Sequence, residues 1–191
     1  MNTQSSKFNR GELIKLFLIV AFPLHVWTIL MTLRDVGWVA EGRTLSGAVG
    51  FSAYVLSYTL VESLVLFGGI LLLGLLISKN WSTDQRLVSL GLVATVLASW
   101  SIIEQIILVL LHEQMTRAFS SFALLGASPW LGMALLGLLV TFSFALPVFL
   151  ALRSEKFSSA MLSIFDRLSL LSGMYLFFDF AAIIILIVRN V

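Results

Sequence analysis

The chain has 191 residues, 59% of them hydrophobic and only 12% charged, with a mean hydropathy of +1.03. Soluble domains carry roughly 45–50% apolar and about 25% charged residues, so the material for a hydrated surface is missing and the surface must face lipid instead. The net charge of +2 is spread over basic side chains that flank the apolar runs, which excludes a nucleic-acid patch; the lack of cysteine excludes disulfides, thiolate metal sites and thiol nucleophiles.

Residues 1–9 read as a flexible lead. Lys7, Arg10 and Lys15 then precede an apolar run over 13–33. That run of about 21 residues exceeds the roughly 7–15 of a signal-peptide core, so an uncleaved first membrane helix is expected. Asn9 and Glu12 have the spacing of a capping box. The segment 34–46, with Arg34, Trp38, Arg43 and two glycines, suits an outer loop or lid. A second run covers 47–77. At 1.5 Å per residue its ~31 residues make about 46 Å against a hydrocarbon core of roughly 30 Å, so it must tilt, project or bend, and Gly68-Gly69 is the expected bend. Lys79-Asn80-Trp81 breaks the pattern, and Ser82 with Gln85 forms a second capping signature before a third run over 87–111.

The segment 112–128 places Met115, Phe119 and Phe122 on one helical face, as an interfacial helix would. Ser128-Pro129 opens the fourth run, 129–151, with a cap residue before a first-turn proline. Residues 153–166 read equally as another interfacial segment or as the start of the fifth run, 167–188. The expected fold is therefore all-α: one polytopic transmembrane domain spanning 1–191, five membrane-crossing helices in one bundle with short interfacial segments. Backbone groups in lipid must be satisfied within each segment, which forces helix.

Orientation follows the basic residues. Lys7, Arg10, Lys15, Lys79, Arg86, Arg153, Lys156 and Arg167 fall on one side, against Arg34, Arg43, Arg117 and Arg189 on the other. The positive-inside rule then places the N-terminus in the cytoplasm and the C-terminus outside, in a bacterial-type inner membrane.

Four ionisable groups interrupt the apolar bulk: His25, Glu62, Glu104 and Asp179. Such groups cost roughly 2.5–3.5 kcal/mol at the centre of a helix and mark functional sites by default. Counting from the outer helix ends at 1.5 Å per residue, they lie about 13 Å (His25), 12 Å (Glu104), 15 Å (Asp179) and 18–24 Å (Glu62) down. Each sits on a polar stripe: His25 with Thr28 and Thr32, Glu62 with Tyr54 and Tyr58, Glu104 with Ser101 and Gln105, Asp179 with Tyr175 and Ser172. Turned inward together, the stripes would form an outward-facing polar cavity, a proton relay or a cation site; turned to one another in pairs, they would be hydrogen-bonded glue between helices. Arg34, Arg43, Arg117 and His112 are candidates at the outer mouth, where they would attract an anion or simply snorkel to the interface. Helix four contributes no ionisable group. Its Gly137, Thr141 and Ala145 form a small-residue ridge, which suits a lipid-facing or partner-facing wall.

No nucleotide, zincin or nucleophile-elbow motif occurs, and the two histidines differ in depth by roughly 12 Å, too far to ligate one haem iron. No cofactor and no metal are expected. The partners implied are the bilayer and other membrane subunits or a second copy. The readings of function are a non-enzymatic component of a membrane complex, a small transporter or channel for protons, cations or a small solute, or an intramembrane enzyme on a lipid-linked substrate with Glu104 and His25 as acid and base.

Overall fold

The computed structural model describes residues 8–42, 44–77, 81–117 and 129–190. Five long helices form one bundle: α1 Arg10–Gly42, α2 Leu45–Leu76, α3 Thr83–Gln105, α4 Pro129–Arg153 and α5 Glu155–Asn190. All five are long and apolar enough to cross a membrane, and the described residues contain no strand. The protein is a multi-pass, all-α membrane protein.

The helix starts follow local chemistry. Asn9 and Glu12 exchange reciprocal bonds, Glu12 N to Asn9 Oδ1 at 2.9 Å and Asn9 N to Glu12 Oε2 at 2.8 Å. Ser82 and Gln85 do the same at the start of α3, at 3.2 and 3.0 Å, and Pro129 opens α4. Each arrangement occupies N–H groups that the first helical turn leaves without an intrahelical acceptor.

The structure departs from the sequence expectation at three places and decides between two readings at a fourth. Helix α1 continues to Gly42, so the segment expected as an outer loop from residue 34 is mostly helix; nothing between Arg34 and Glu41 breaks it, and Arg34 pairs with its neighbour Asp35 at 2.6 Å. Of the two readings expected for 153–166, the start of the fifth helix holds: α5 begins at Glu155, directly after Arg153 ends α4, with the Ser154 hydroxyl between them accepting from Phe157 N. Helix α2 runs unbroken through Gly68-Gly69, because the space beside both glycines is open and nothing displaces the backbone there. Finally, α3 ends in a π-turn, Ile106–Leu110, closed by Leu111 N to Ile106 O at 3.0 Å. A short helical stretch, 112–117, follows; the remainder of the expected interfacial segment 112–128, with Phe119 and Phe122, lies outside the described residues, as do Arg43 and Ser128.

Helix α1 is the hub, packed on α2, α3 and α5, while α4 packs mainly on α3 and α5. The close-packed core lies at the end of the bundle where the chain starts. There Leu16, Ile19 and Val20 meet Ile70, Leu87, Val88, Leu90, Ala94, Ala151 and Phe165. Gly91 makes that junction possible: a Cβ at this position would lie 2.7 Å from the Phe165 ring, so only glycine lets α5 lie this close to α3. Every residue from Leu87 to Leu92 is buried, whereas those from Glu104 outward are largely exposed. The bundle is thus tight at one end and open at the other, because α3 leaves the core midway along its length.

Candidate functional site

The α1–α5 seam holds His25, Ser172 and Asp179, three of the seven buried polar side chains among the described residues. Ser172 Oγ donates to Leu18 O at 2.7 Å and His25 Nε2 meets Asp179 Oδ2 at 2.8 Å. Both links span 154 positions, so the two helices run parallel in constant register, two helical turns between contacts. Lys15 pairs with Asp166 toward the chain-start end of the same seam. Helix α1 is weakened here by Pro23, which supplies no N–H and forces the preceding carbonyls aside. The carbonyl left without its i+4 donor is that of Ile19, and the Ser172 hydroxyl and the His25 ring bond the carbonyls on either side of it, Leu18 O at 2.7 Å and Ala21 O at 2.8 Å.

The His25–Asp179 pair is sealed, with side chains 0% and 1% exposed. Its proton count follows from geometry. A carbonyl only accepts, so Nδ1 must carry hydrogen to bond Ala21 O. Oδ2 accepts when ionised, so the 2.8 Å contact to Nε2 requires one further proton, held on the imidazole or on the carboxyl. In either form the pair is neutral overall, and neutrality is what makes its burial in a dry bundle tolerable. The Tyr175 ring stacks over His25 at 6.0 Å, 3° from parallel, and the Phe22 ring lies 6.2 Å from Tyr175 at a tilt of 33°. Asp179 Oδ1 is buried without a hydrogen-bond partner, so the carboxyl is held through one oxygen only.

Across α1 lies a second polar region. Thr28 Oγ1 and Thr59 Oγ1 are 2.8 Å apart; Thr59 spends its proton on Val55 O at 3.0 Å, which makes Thr28 the donor. Trp27 Nε1 donates to Gln105 Oε1, tying α1 to the last turn of α3 just before its π-turn. Between these ties a groove of about 750 Å³ opens among α1, α2 and α3, and Glu62, Tyr58, Ser101 and Gln105 line it. Tyr58, Val61 and Val65 are all more than half exposed, so the groove opens sideways, toward lipid. Among the described residues no side chain is bonded to the Glu62 carboxylate.

The four interrupting groups therefore do not share one cavity. His25 and Asp179 form a closed pair with Tyr175 beside them; Glu62 and Tyr58 line the groove on the opposite face of α1; Glu104 is exposed and absent from the groove wall. At the end of the bundle away from the close-packed core, Arg34 is held by Asp35 and Arg117 lies 3.3 Å from Glu113, while His112 is exposed at the start of its short helical stretch. Among the described residues, no three His, Asp or Glu side chains are placed to hold a metal ion. The acid and base expected of an enzyme stand apart: His25 is sealed, whereas Glu104 is exposed.

Three features were not legible from stripes alone: the Trp27–Gln105 tie, the Thr28–Thr59 contact, and Ser172 bonding to a backbone carbonyl rather than supporting Asp179. The stripe at 25 and 28 divides, because positions three apart on a helix point some 60° apart. His25 thereby turns to α5 and Thr28 to α2. The proline at position 23 was the one available signal that α1 would need an outside donor near Leu18.

No protein family matches this chain, and neither a curated protein nor a solved structure does.

Proposed function

We propose that this protein is a non-enzymatic component of a membrane assembly, a scaffold bundle that presents α4 to another subunit or to a second copy of itself. The observation that carries this reading is the state of α4. Only 6% of its most apolar window is buried within the chain, and the ridge of Gly137, Thr141 and Ala145 stands uncovered, with nothing within 4 Å of a Cβ placed at Gly137. Small residues at such spacing let a second helix approach closely, which is how helices associate in lipid, where no hydrophobic force drives them together. The sealed His25–Asp179 pair supports the same reading, since it joins helices and offers nothing to a substrate. The charge bias of the loops supports a cytoplasmic N-terminus and an external C-terminus, in a bacterial-type inner membrane.

The natural chain has no cysteine, so single-cysteine variants are clean reporters. Cysteine at Met133 or Leu138, which flank the ridge on α4, is expected to give specific cross-linked adducts in native membranes, whereas cysteine at Leu170 or Phe177, at least as exposed on α5, is expected to give none. Equal labelling of both helices, or of neither, refutes the reading.

A second reading, transport of a cation or small solute, draws support from Glu62 in its groove. It requires a flux in reconstituted vesicles that Glu62→Gln lowers; flux equal to that of empty vesicles rejects it.

A further inference from the structure

The geometry points to the groove between α1, α2 and α3 as a binding site for a cationic amphiphile: a single-chain molecule with an ammonium head, entering sideways from the membrane. The inference is independent of the scaffold reading, since the groove and α4 share no residue.

Three observations carry it. The first is size and access. Small-molecule sites enclose roughly 300–1,000 Å³, and the groove's ~750 Å³ falls within that range, with exposed Val61 and Val65 on its open side. An apolar ligand reaches it through the bilayer without crossing water.

The second is charge. Glu62 is the one ionisable acid or base among the groove's lining residues other than the Tyr58 phenol. Seventeen residues from the start of α2 and fourteen from its end, it sits about 21–26 Å from either tip, where a carboxylate without a counter-charge is expensive. Nothing described in the chain satisfies it. A ligand that brings a cation to this depth relieves that cost; an anionic head raises it.

The third is the bonding state of the other polar groups. The Thr28 and Thr59 protons are committed to Thr59 Oγ1 and Val55 O, and the Trp27 N–H to Gln105. What remains for a ligand is the carboxylate, neutral donors on Tyr58, Ser101 and Gln105, and the aromatic faces of Trp27 and Tyr58. Aromatic faces attract ammonium groups within about 6 Å of the ring centroid. The groove thus combines an apolar trough, one acceptor charge and aromatic walls, and it lacks any cation that could hold a phosphate or carboxylate.

The test uses the full-length protein in nanodiscs of one fixed zwitterionic lipid. The probe is a long-chain alkyltrimethylammonium with bromines on its chain, which quenches tryptophan on contact. Saturable quenching above bilayer partitioning is expected, and most of it should vanish in Trp27→Phe. Glu62→Gln should weaken binding at least tenfold, equivalent to about 1.4 kcal/mol, while Glu62→Asp keeps most of it. Glu62→Gln removes a charge from lipid and is not expected to impair folding, and the retained affinity of Glu62→Asp guards against a general packing effect. A brominated alcohol of equal chain length should bind weakly and be indifferent to Glu62→Gln. Absence of saturable binding overturns the proposal and leaves the groove to a partner helix. Equal affinity of wild type and Glu62→Gln, or equal binding of the alcohol with the same dependence on Glu62, also overturns it.

Discussion

Replacing Asp179 with alanine tests the logic of the buried pair. In the wild type, His25 bonds Ala21 O through Nδ1 and Asp179 through Nε2, both at 2.8 Å and both with no access to solvent. Alanine removes the second partner. The imidazole is then neutral with hydrogen on Nδ1, and the Nε2 lone pair is left buried and unbonded, which costs about 1–3 kcal/mol. Interhelical hydrogen bonds in lipid average about 0.6 and reach about 1.7 kcal/mol, because the separated helices also find partners; a loss of about 1–1.7 kcal/mol for Asp179→Ala respects both bounds. Asparagine should behave differently. Its amide donates to the bare Nε2 and needs no shared proton, so Asp179→Asn is expected to cost less than about 0.5 kcal/mol, the size of an ordinary benign substitution. The assay is reversible unfolding in mixed micelles for the wild type, both Asp179 variants, His25→Ala and the double alanine variant. The cycle should return a coupling of about 1 kcal/mol or more between His25 and Asp179, well above the additivity error of about 0.3–0.5 kcal/mol. Asparagine as damaging as alanine, or coupling within that error, would refute the shared-proton account.

The other expectations are simpler. Gly91→Ala puts a methyl 2.7 Å from the nearly buried Phe165 ring, an overpacking worth about 1–3 kcal/mol; Phe165→Leu in the same chain should recover part of it, and an unchanged unfolding midpoint for Gly91→Ala would show that the helices separate freely there. Trp27→Phe cuts the tie to Gln105 and should raise hydrogen exchange over residues 99–111 while leaving 83–92 protected, since that first half of α3 is held by the core. Ser172→Ala removes the hydroxyl that bonds Leu18 O and should cost about 0.6 kcal/mol, the mean for such bonds in lipid. Membrane-impermeant labelling of single cysteines near residues 9 and 189 should mark opposite faces of the membrane; labelling from one side would contradict an odd number of crossings.

The amino-acid sequence by itself determined the membrane class, the number of helices and most of their starts. Those properties are local: a long apolar run must be helical in lipid, and Asn9, Ser82 and Pro129 cap or open helices through contacts within a few residues. It also named the interrupting residues, because a buried charge is costly wherever its helix packs. Helix ends were less legible. Helix α1 passes Arg34 and α5 begins before Arg167, since charge marks where lipid ends and not where hydrogen bonding stops. The pairing of the polar residues was decided only by tertiary structure. Depth along each helix placed His25, Glu62, Glu104 and Asp179 at comparable levels, but depth says nothing of rotation about the helix axis. Rotation is fixed by how Gly91 admits Phe165, by the register of α1 on α5, and by the point at which α3 leaves the core. Those long-range contacts close His25 onto Asp179, leave Glu62 open to the bilayer, and set Glu104 apart from both.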